Sequence, residues 1–310
     1  MEEKTIYKSK EGKRILSQKY EAYLETLPFD VERKYVDTSY GKTHVLVAGP
    51  PQGKPIFIFQ GGNCINPMTL TWFTPLAKHY RIYAPDTIGH PGFSAENRIS
   101  AKNHSFAQWI EELMNFFQIE RCAFIGPSYG GGIILRLATF LPEKIDCAVL
   151  VSPAGIKLGS KLKMIKDILR PLALYNITSS EKHLQAIADK MSANSMKDID
   201  KQIIGDVFQH VKLEQDMPKL TDKKELENFK APTLVIAGLK DVFFPENKLR
   251  SRTQEIIPNL TAFKSYDMGH FPSEAYLEKM NVEIKQFLSN NYEMIDSQLG
   301  ASFEYEASKW

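Results

Sequence analysis

Gly126-Pro127-Ser128-Tyr129-Gly130 is the stretch of this sequence that decides the fold. It follows the apolar residues 122–125, which are typical of a buried strand, and precedes a helical pattern that opens at Gly131. A glycine two places before and two places after the serine lets a strand and a helix approach closely around a tight turn. Such a turn strains the serine backbone and lifts its hydroxyl above a sheet edge. The stretch therefore predicts a nucleophilic serine, Ser128.

A Gly-x-Ser-x-Gly pattern also occurs by chance in glycine-rich turns, so the serine needs partners. The base and the acid that serve such a serine follow it in the order Ser, Asp or Glu, His. Asp241 comes directly after an apolar run at 233–238, and His270 follows the last strand-like run, near residues 262–263. The carboxyl ends of parallel strands meet at one sheet edge. We therefore expect Ser128, Asp241 and His270 to form a catalytic triad.

Each partner has an alternative. Asp241 could be a surface carboxylate beside a helix. Asp267 is nearer to His270 along the chain, but that closeness makes it hard for its carboxylate to reach the far side of the imidazole. His90 also follows a predicted strand and could border the site, although it is the weaker candidate for the base.

The oxyanion hole of such a site needs two backbone N–H groups. One belongs to the residue after the nucleophile, Tyr129, and the other comes from the loop after the third strand. Here the predicted strand 56–59 runs into Gln60-Gly61-Gly62-Asn63. We expect the N–H groups of Gly62 and Tyr129 to form the hole; a glycine turn without function is the alternative.

The rest of the chain alternates between strand-like and helical patterns. A helix is predicted to end at Pro28, and three short strands follow between about residues 32 and 60. Apolar runs at 81–84, 122–125, 148–151 and 233–237 then alternate with helices. Strands with little internal polarity point to an α/β fold: a mostly parallel central sheet flanked by helices.

One long segment interrupts this alternation. Between residues 155 and 229 helical patterns occur without a strand-like run, which predicts a helical cap. The expected division is a first part of the core at 1–155, a cap at 156–229 and a second part of the core at 230–310. The apolar residues of the cap either line a pocket or only pack its helices together: Met164, Leu172, Leu174, Met191 and Phe208. The basic run from Lys157 to Arg170 is interpreted as a solvated helix face, and residues 297–310 as a loose tail.

Composition excludes several classes of protein. With 43% hydrophobic and 25% charged residues the chain is globular, and a net charge of +2 gives no footprint for nucleic acid. Three scattered cysteines (Cys64, Cys122 and Cys147) predict neither a disulfide framework nor a metal site. No apolar signal segment opens the chain, and no apolar run has the roughly 18 residues of a membrane span. We expect a cytoplasmic monomer or homodimer that needs no metal or organic cofactor and has no membrane partner.

Taken together, these motifs resemble the α/β-hydrolase superfamily over roughly residues 30 to 290, and small bacterial carboxylesterases within it. Gly126-Pro127-Ser128-Tyr129-Gly130 is similar to the family's nucleophile elbow. Gln60-Gly61-Gly62 looks like its oxyanion loop with glutamine in place of histidine, and residues 84–94 resemble a further family segment. Asp241 and His270 match the stations of the acid and the base, whereas Ser152 occupies the alternative acid station and cannot serve there.

This resemblance implies hydrolysis of carboxylic esters of small, largely apolar substrates through an acyl-enzyme. A serine nucleophile disfavours dehalogenase and epoxide hydrolase chemistry, which use aspartate. Peptidase, carbon–carbon bond hydrolase and acyltransferase reactions would use the same triad. A protein that senses a ligand on the same fold is the alternative from another class.

Overall fold

The computed structural model describes residues 5–293, and the expected C-terminal tail at 297–310 lies outside the described residues. Eight strands form one sheet in the order β1-β2-β4-β3-β5-β6-β7-β8. Their bounds are β1 Val31–Thr38, β2 Gly41–Ala48, β3 Lys54–Ile58, β4 Tyr80–Pro85, β5 Cys122–Pro127, β6 Ile145–Val151, β7 Thr233–Gly238 and β8 Leu260–Tyr266. β2 runs antiparallel to β1 and to β4, and the remaining pairs are parallel. The expected α/β fold with a mostly parallel sheet is confirmed.

The centre of the sheet is covered on both faces. Every residue of β5 and β7 is buried, because helices pack on either side of these strands. One apolar cluster lies on each face, the first including Ile58 and Ile125 and the second Phe57 and Phe124. Neighbouring residues of a strand thus alternate between two cores, which holds the carboxyl ends of β5 and β7 in fixed register.

The helices begin and end where their caps and prolines allow. Ser9 caps the first helix, since its hydroxyl accepts the Gly12 N–H at 3.0 Å. The α-helices are α1 Lys10–Leu24, α2 Asn66–Leu70, α3 Ser105–Phe116, α4 Tyr129–Phe140, α5 Lys161–Met164, α6 Arg170–Thr178, α7 Glu181–Ser192, α8 Asp198–His210, α9 Glu246–Ile256 and α10 Glu274–Leu288. Shorter 3-10 helices lie at Thr71–Lys78, Pro142–Lys144 and Lys223–Leu226, and π-helical turns lie at Ile165–Leu169 and Ser289–Glu293.

The segment between β6 and β7 is helical. It holds α5 to α8, and the π-helical turn Ile165–Leu169 joins α5 to α6 without a break. Among residues 152–232, all of which the structure describes, no strand is present. The division into core and cap remains a prediction, and the helices of this segment are consistent with it.

Helix α1 contacts both regions of the molecule. The Tyr20 hydroxyl donates to Asp86 at 2.6 Å in the core, while the Tyr23 hydroxyl donates to Asp200 at 2.6 Å on α8. Just before α1, Tyr7 forms a bridge with Val211 at the end of α8. The N-terminal segment therefore fastens α8 to the sheet, a connection that the sequence patterns did not indicate.

Candidate active site

Ser128 lies at the turn between β5 and α4 in a strained conformation. Its φ is 51° and its ψ is −116°, a region that non-glycine residues rarely adopt. Two backbone hydrogen bonds hold it there: its N–H donates to the Val151 carbonyl at 2.9 Å, and its carbonyl accepts the Ala154 N–H at 2.9 Å. Hydrogen bonds with strand β6 and with the loop after it therefore hold Ser128 in its strained conformation, as is typical of strain at functional sites.

Two glycines make this turn possible. A Cβ at Gly126 would come within 2.5 Å of the Gly130 carbonyl carbon, and a Cβ at Gly130 within 2.5 Å of the Phe59 carbonyl oxygen. Both obstacles are backbone atoms, which cannot move aside as a side chain would. The glycines are therefore required by the close approach of α4 to β5 and to the end of β3.

The side chains of Asp241 and His270 form a buried pair. Asp241 lies in the loop after β7 and His270 in the loop after β8, and Asp241 Oδ2 is 2.8 Å from His270 Nδ1. The other oxygen, Oδ1, accepts the N–H groups of Phe243 at 2.8 Å and Phe244 at 3.0 Å. These bonds orient the carboxylate toward the imidazole. The other imidazole nitrogen, Nε2, remains available to face the substrate.

The environment keeps Asp241 ionised. Burial by itself would raise its pKa, but the nearby His270 charge, the His270 hydrogen bond and the Phe244 N–H outweigh burial, so the pKa lies below its ordinary value. Ser152 contributes a smaller lowering of the same pKa. Ser152 is buried at the end of β6 with a φ of 43°. Ser152, at the alternative acid station, supplies no carboxylate, and the acid beside His270 is Asp241.

The alternative acid, Asp267, forms an ion pair at the surface instead of pairing with the imidazole. Its carboxylate is 2.8 Å from Lys240 Nζ, in an ion pair whose two side chains are more than half exposed.

His90, the weaker candidate for the base, contacts Asn63 and Tyr129. Its Nδ1 accepts the Asn63 N–H at 3.3 Å, and its ring packs on Tyr129 with centroids 4.7 Å apart. Burial lowers the pKa of His90 to about 3, so it is a neutral support of the loop beside Ser128.

Two backbone N–H groups of the loop after β3 donate to side chains near the site. The Gly61 N–H donates to Thr69 Oγ1 at 3.2 Å and the Asn63 N–H donates to His90. Among residues 5–293, the N–H groups of Gly62 and Tyr129 have no acceptor. A Cβ on Gly62 would lie 3.1 Å from the Tyr129 Cβ, so the two residues are in close contact. The two N–H groups expected to form the oxyanion hole are thus in close contact and without an acceptor of their own.

Gln60 fixes the start of this loop. Its side-chain amide donates to the Cys64 carbonyl at 2.8 Å and accepts the Thr87 N–H at 3.1 Å, with the whole side chain buried. A donor and an acceptor are both needed, and one amide supplies both. The glutamine that departs from the family pattern therefore supports the loop from within.

The segment between α8 and β7 holds the other end of the loop. Asn63 Oδ1 accepts the Glu214 N–H at 2.7 Å, and Asn63 Nδ2 donates to the Glu214 carbonyl at 3.2 Å. The Glu214 carboxylate is in turn 3.0 Å from Arg98 Nε. Asn63 adopts a φ of 52°, so this reciprocal pair holds an unusual backbone conformation next to Gly62. Sequence patterns gave no sign of it because the partners are distant along the chain.

These groups open onto one cavity of about 540 Å³. Ser128, His270, Gly62 and Tyr129 all line it, whereas Asp241 lies behind the imidazole. The walls are mainly apolar, with Lys161 and Glu214 as charged exceptions. Four of the five apolar cap residues singled out in the sequence line the cavity, while Leu174 does not: Met164, Leu172, Met191 and Phe208. In the described part of the chain no cluster of three metal-ligating side chains is present.

The fold and the site define a class of protein. The family model for the α/β hydrolase fold matches residues 54–274, and the chain belongs to this family. It is similar to carboxylesterase YbfK of Bacillus subtilis (strain 168), with 24% identity over 279 residues that cover 87% of this chain and 92% of that protein.

Two solved structures from Bacillus subtilis share the fold. The crystal structure of carboxylesterase CesB (YbfK) matches with a TM-score of 0.73 and 22% identity, over 90% of this chain and 98% of that one. The naproxen esterase structure matches with a TM-score of 0.74 and 20% identity, over 87% of this chain and 96% of that one. The expected resemblance to small bacterial carboxylesterases is confirmed.

Proposed function

We propose that this protein is a serine hydrolase that cleaves carboxylic esters of small, largely apolar substrates. The observation that carries the proposal is the buried Asp241–His270 pair, which shares one apolar cavity with the strained Ser128. Similarity to carboxylesterases along nearly the whole chain supports the same reaction. An apolar wall favours uncharged acyl and alcohol groups over ionic ones.

In the proposed mechanism His270 removes the proton from the Ser128 hydroxyl, whose oxygen attacks the ester carbonyl. Asp241 holds the imidazole with Nδ1 protonated and stabilises the imidazolium that forms. The N–H groups of Gly62 and Tyr129 donate to the oxyanion of the tetrahedral intermediate; losing one such donor costs roughly 3 kcal/mol of the barrier. His270 then protonates the leaving alcohol, and a water molecule hydrolyses the acyl-enzyme by the same steps.

Hydrolysis of p-nitrophenyl esters from acetate to octanoate tests the proposal. We expect turnover by the wild type and a loss of at least about a thousandfold in kcat for Ser128→Ala, because the attacking atom is removed. Ser179→Ala is the matched control: Ser179 also has a positive φ, of 50°, but lies on the exposed face of the cap. Full turnover by Ser128→Ala would contradict the assignment.

The same assay separates the alternatives. An acyltransferase would give more transfer product than acid when an acceptor alcohol is added, and a peptidase or carbon–carbon hydrolase would leave the esters largely intact while cleaving its own substrate. A ligand sensor would bind an ester or acid tightly with negligible turnover. Steady release of acid in water alone supports the hydrolase.

A further inference from the structure

The cap presents an apolar stripe to solvent. Leu162, Ile165 and Leu169 follow one another at intervals of three and four residues along the helical run that begins with α5, and Leu158 lies in the loop just before it. The exposed fractions of Leu158, Leu162, Ile165 and Leu169 are 44%, 79%, 52% and 49%. Isolated exposed leucines are ordinary, but four exposed apolar side chains so close along one segment mark an interaction surface. We call these four residues the cap stripe.

Positive charge surrounds the cap stripe. Five cations fall within residues 157–170, against one acidic residue, Asp167: Lys157, Lys161, Lys163, Lys166 and Arg170. In the described part of the chain none of the five forms an ion pair. The whole chain carries a net charge of only +2, so this concentration is local. The stripe therefore combines apolar side chains with unneutralised cations.

The cap stripe is continuous with the cavity of the candidate active site. Leu158, Ile165 and Leu169 line the cavity while remaining about half exposed, so they form its rim. Leu162, the most exposed of the four, is not part of the lining. An apolar molecule resting against the stripe would reach Ser128 along apolar walls without crossing open water.

We propose that the cap stripe and its five cations form a docking surface for an anionic phospholipid bilayer. Amphipathic helices bind such surfaces by inserting apolar side chains while lysines and arginines attract lipid phosphates. A second copy of the chain fits this face less well, because a symmetric contact would bring five unpaired cations of each copy together. The docking surface borders the cavity, but binding to it does not depend on the proposed triad.

Flotation with vesicles tests the proposal directly. The full chain carrying Ser128→Ala is mixed with vesicles of phosphatidylcholine alone or of phosphatidylcholine with phosphatidylglycerol, so that lipid hydrolysis cannot change the vesicles. We expect binding to the anionic vesicles, much weaker binding to the neutral ones, and release as salt is raised. Equal binding to both kinds of vesicle, or none to either, would overturn the proposal.

Two variants locate the surface. Leu162→Gln should weaken binding to the anionic vesicles several-fold, and Lys163→Gln combined with Lys166→Gln should weaken it roughly fivefold for each lysine removed. The matched controls are Val282→Gln, at a residue 67% exposed on α10, and the pair Lys279→Gln and Lys285→Gln, which removes the same charge elsewhere. Thermal unfolding of each variant checks that it is folded.

Two results would contradict this assignment. If the controls weaken binding as much as the stripe variants, the attraction is general and not local. If size-exclusion chromatography shows a dimer that Leu162→Gln dissociates, a second copy covers the stripe in place of a lipid surface.

Discussion

At the scale of single residues, the two oxygens of Asp241 have separate tasks. Oδ1 is held by two backbone N–H groups, and Oδ2 faces the imidazole. Because two backbone donors fix the carboxylate, Oδ2 is placed to orient the imidazole of His270 before substrate arrives. The site thus resembles a preorganised charge arrangement rather than a flexible set of side chains.

Replacing this carboxylate by an amide tests its role. Asp241→Asn should lower kcat roughly 10⁴-fold with little change in KM, because an amide nitrogen facing Nδ1 would favour the wrong tautomer. Asp267→Asn is the control, since Asp267 is ion-paired with Lys240 at the surface and should retain full activity. Steady-state kinetics on a p-nitrophenyl ester measure both variants; an active Asp241→Asn enzyme would remove Asp241 from the mechanism.

Asn63 gives a second prediction at this scale. Asn63→Ala breaks the reciprocal bonds to Glu214 and frees the backbone beside Gly62, so we expect kcat to fall about tenfold through a misplaced oxyanion donor. Asn194→Ala is the comparison, because Asn194 has a similar φ of 66° and is exposed on the cap. Equal kcat values for the two variants would show that the pair does not position the hole.

Sequence reasoning reached the candidate nucleophile, acid, base and oxyanion donors because each stands at a fixed place after a strand. It could not reach Asn63, Glu214 or the Gln60 bridge as supports of the loop. These contacts join segments that only the folded chain brings together, and no local spacing encodes them. The neutral role of His90 likewise depends on burial, which periodicity alone does not give.

At the scale of elements, the packing of α4 against the sheet depends on small residues. Gly130→Ala should lower the free energy of unfolding by more than about 2 kcal/mol, since its Cβ would meet the Phe59 carbonyl oxygen at 2.5 Å. Gly61→Ala should be tolerated, because the nearest atom to its Cβ is Cys64 Sγ at 3.6 Å. Urea unfolding compares them; equal stabilities would contradict the close approach of α4 and β3.

A buried cation on the same helix gives a prediction about pH. Arg136 is fully buried, and its Nη1 is 3.1 Å from Glu225 Oε1 in the 3-10 helix before β7. Burial would raise the Glu225 pKa, but hydrogen bonds from the Asp222 N–H, Lys219 and Arg136 lower it from 4.5 to about 2. A depressed pKa means that the ionised form stabilises the fold above about pH 4.5, and that this contribution is lost as the pH falls toward 2.

Glu225→Gln checks this sign. At pH 7 the variant should unfold about 3 kcal/mol more easily, because Arg136 would keep its buried charge without a carboxylate. The difference from the wild type should shrink between about pH 4.5 and 2, where the wild-type carboxylate becomes protonated. Urea unfolding at several pH values measures it. A difference that is constant with pH would rule out the ion pair as its cause.

Most elements could be predicted from the sequence, since the strands β3 to β7 are apolar runs bounded by turns. The stretch from α2 through Thr71–Lys78 was not predicted as helical. It contains Pro67 and Pro75, residues 66–70 are all buried, and residues 71–78 form a 3-10 helix, so neither helix propensity nor an α-helical period marks the stretch. Tertiary packing decides its structure.

At the scale of the whole molecule, α1 joins the sheet to α8 through two tyrosines. Tyr20 donates to Asp86 on one side and Tyr23 to Asp200 on the other. Asp86 also lies 2.9 Å from His44 Nδ1, so α1 is attached to a buried polar network of the core. Helix α8 is thereby linked to this network through α1.

Tyr23→Phe tests this link. Removing the hydroxyl leaves the buried Asp200 without that donor, so we expect a loss of about 1–3 kcal/mol in the free energy of unfolding. The control is Tyr35→Phe, because the Tyr35 side chain is 50% exposed and, within residues 5–293, its hydroxyl makes no hydrogen bond. Thermal and urea unfolding measure both. Equal stabilities would show that α1 does not hold the cap through Tyr23.

The described part of the chain has no helix long and apolar enough to cross a membrane. The charge of the molecule is nearly balanced overall, but five cations lie within residues 157–170, a segment that also contributes residues to the cavity. Composition alone could not show this, because it averages a local surface over the whole chain. The sequence alone led us to interpret the basic run from Lys157 to Arg170 as a solvated helix face. Together with the cap stripe, the same run is a candidate lipid contact.

The central claim is that Ser128 is the nucleophile, and fluorophosphonate labelling with peptide mapping tests it most directly. We predict one adduct, on Ser128, that forms quickly in the wild type, slowly in His270→Ala and not at all in Ser128→Ala. An adduct on any other residue, or undiminished labelling of Ser128→Ala, would contradict the account.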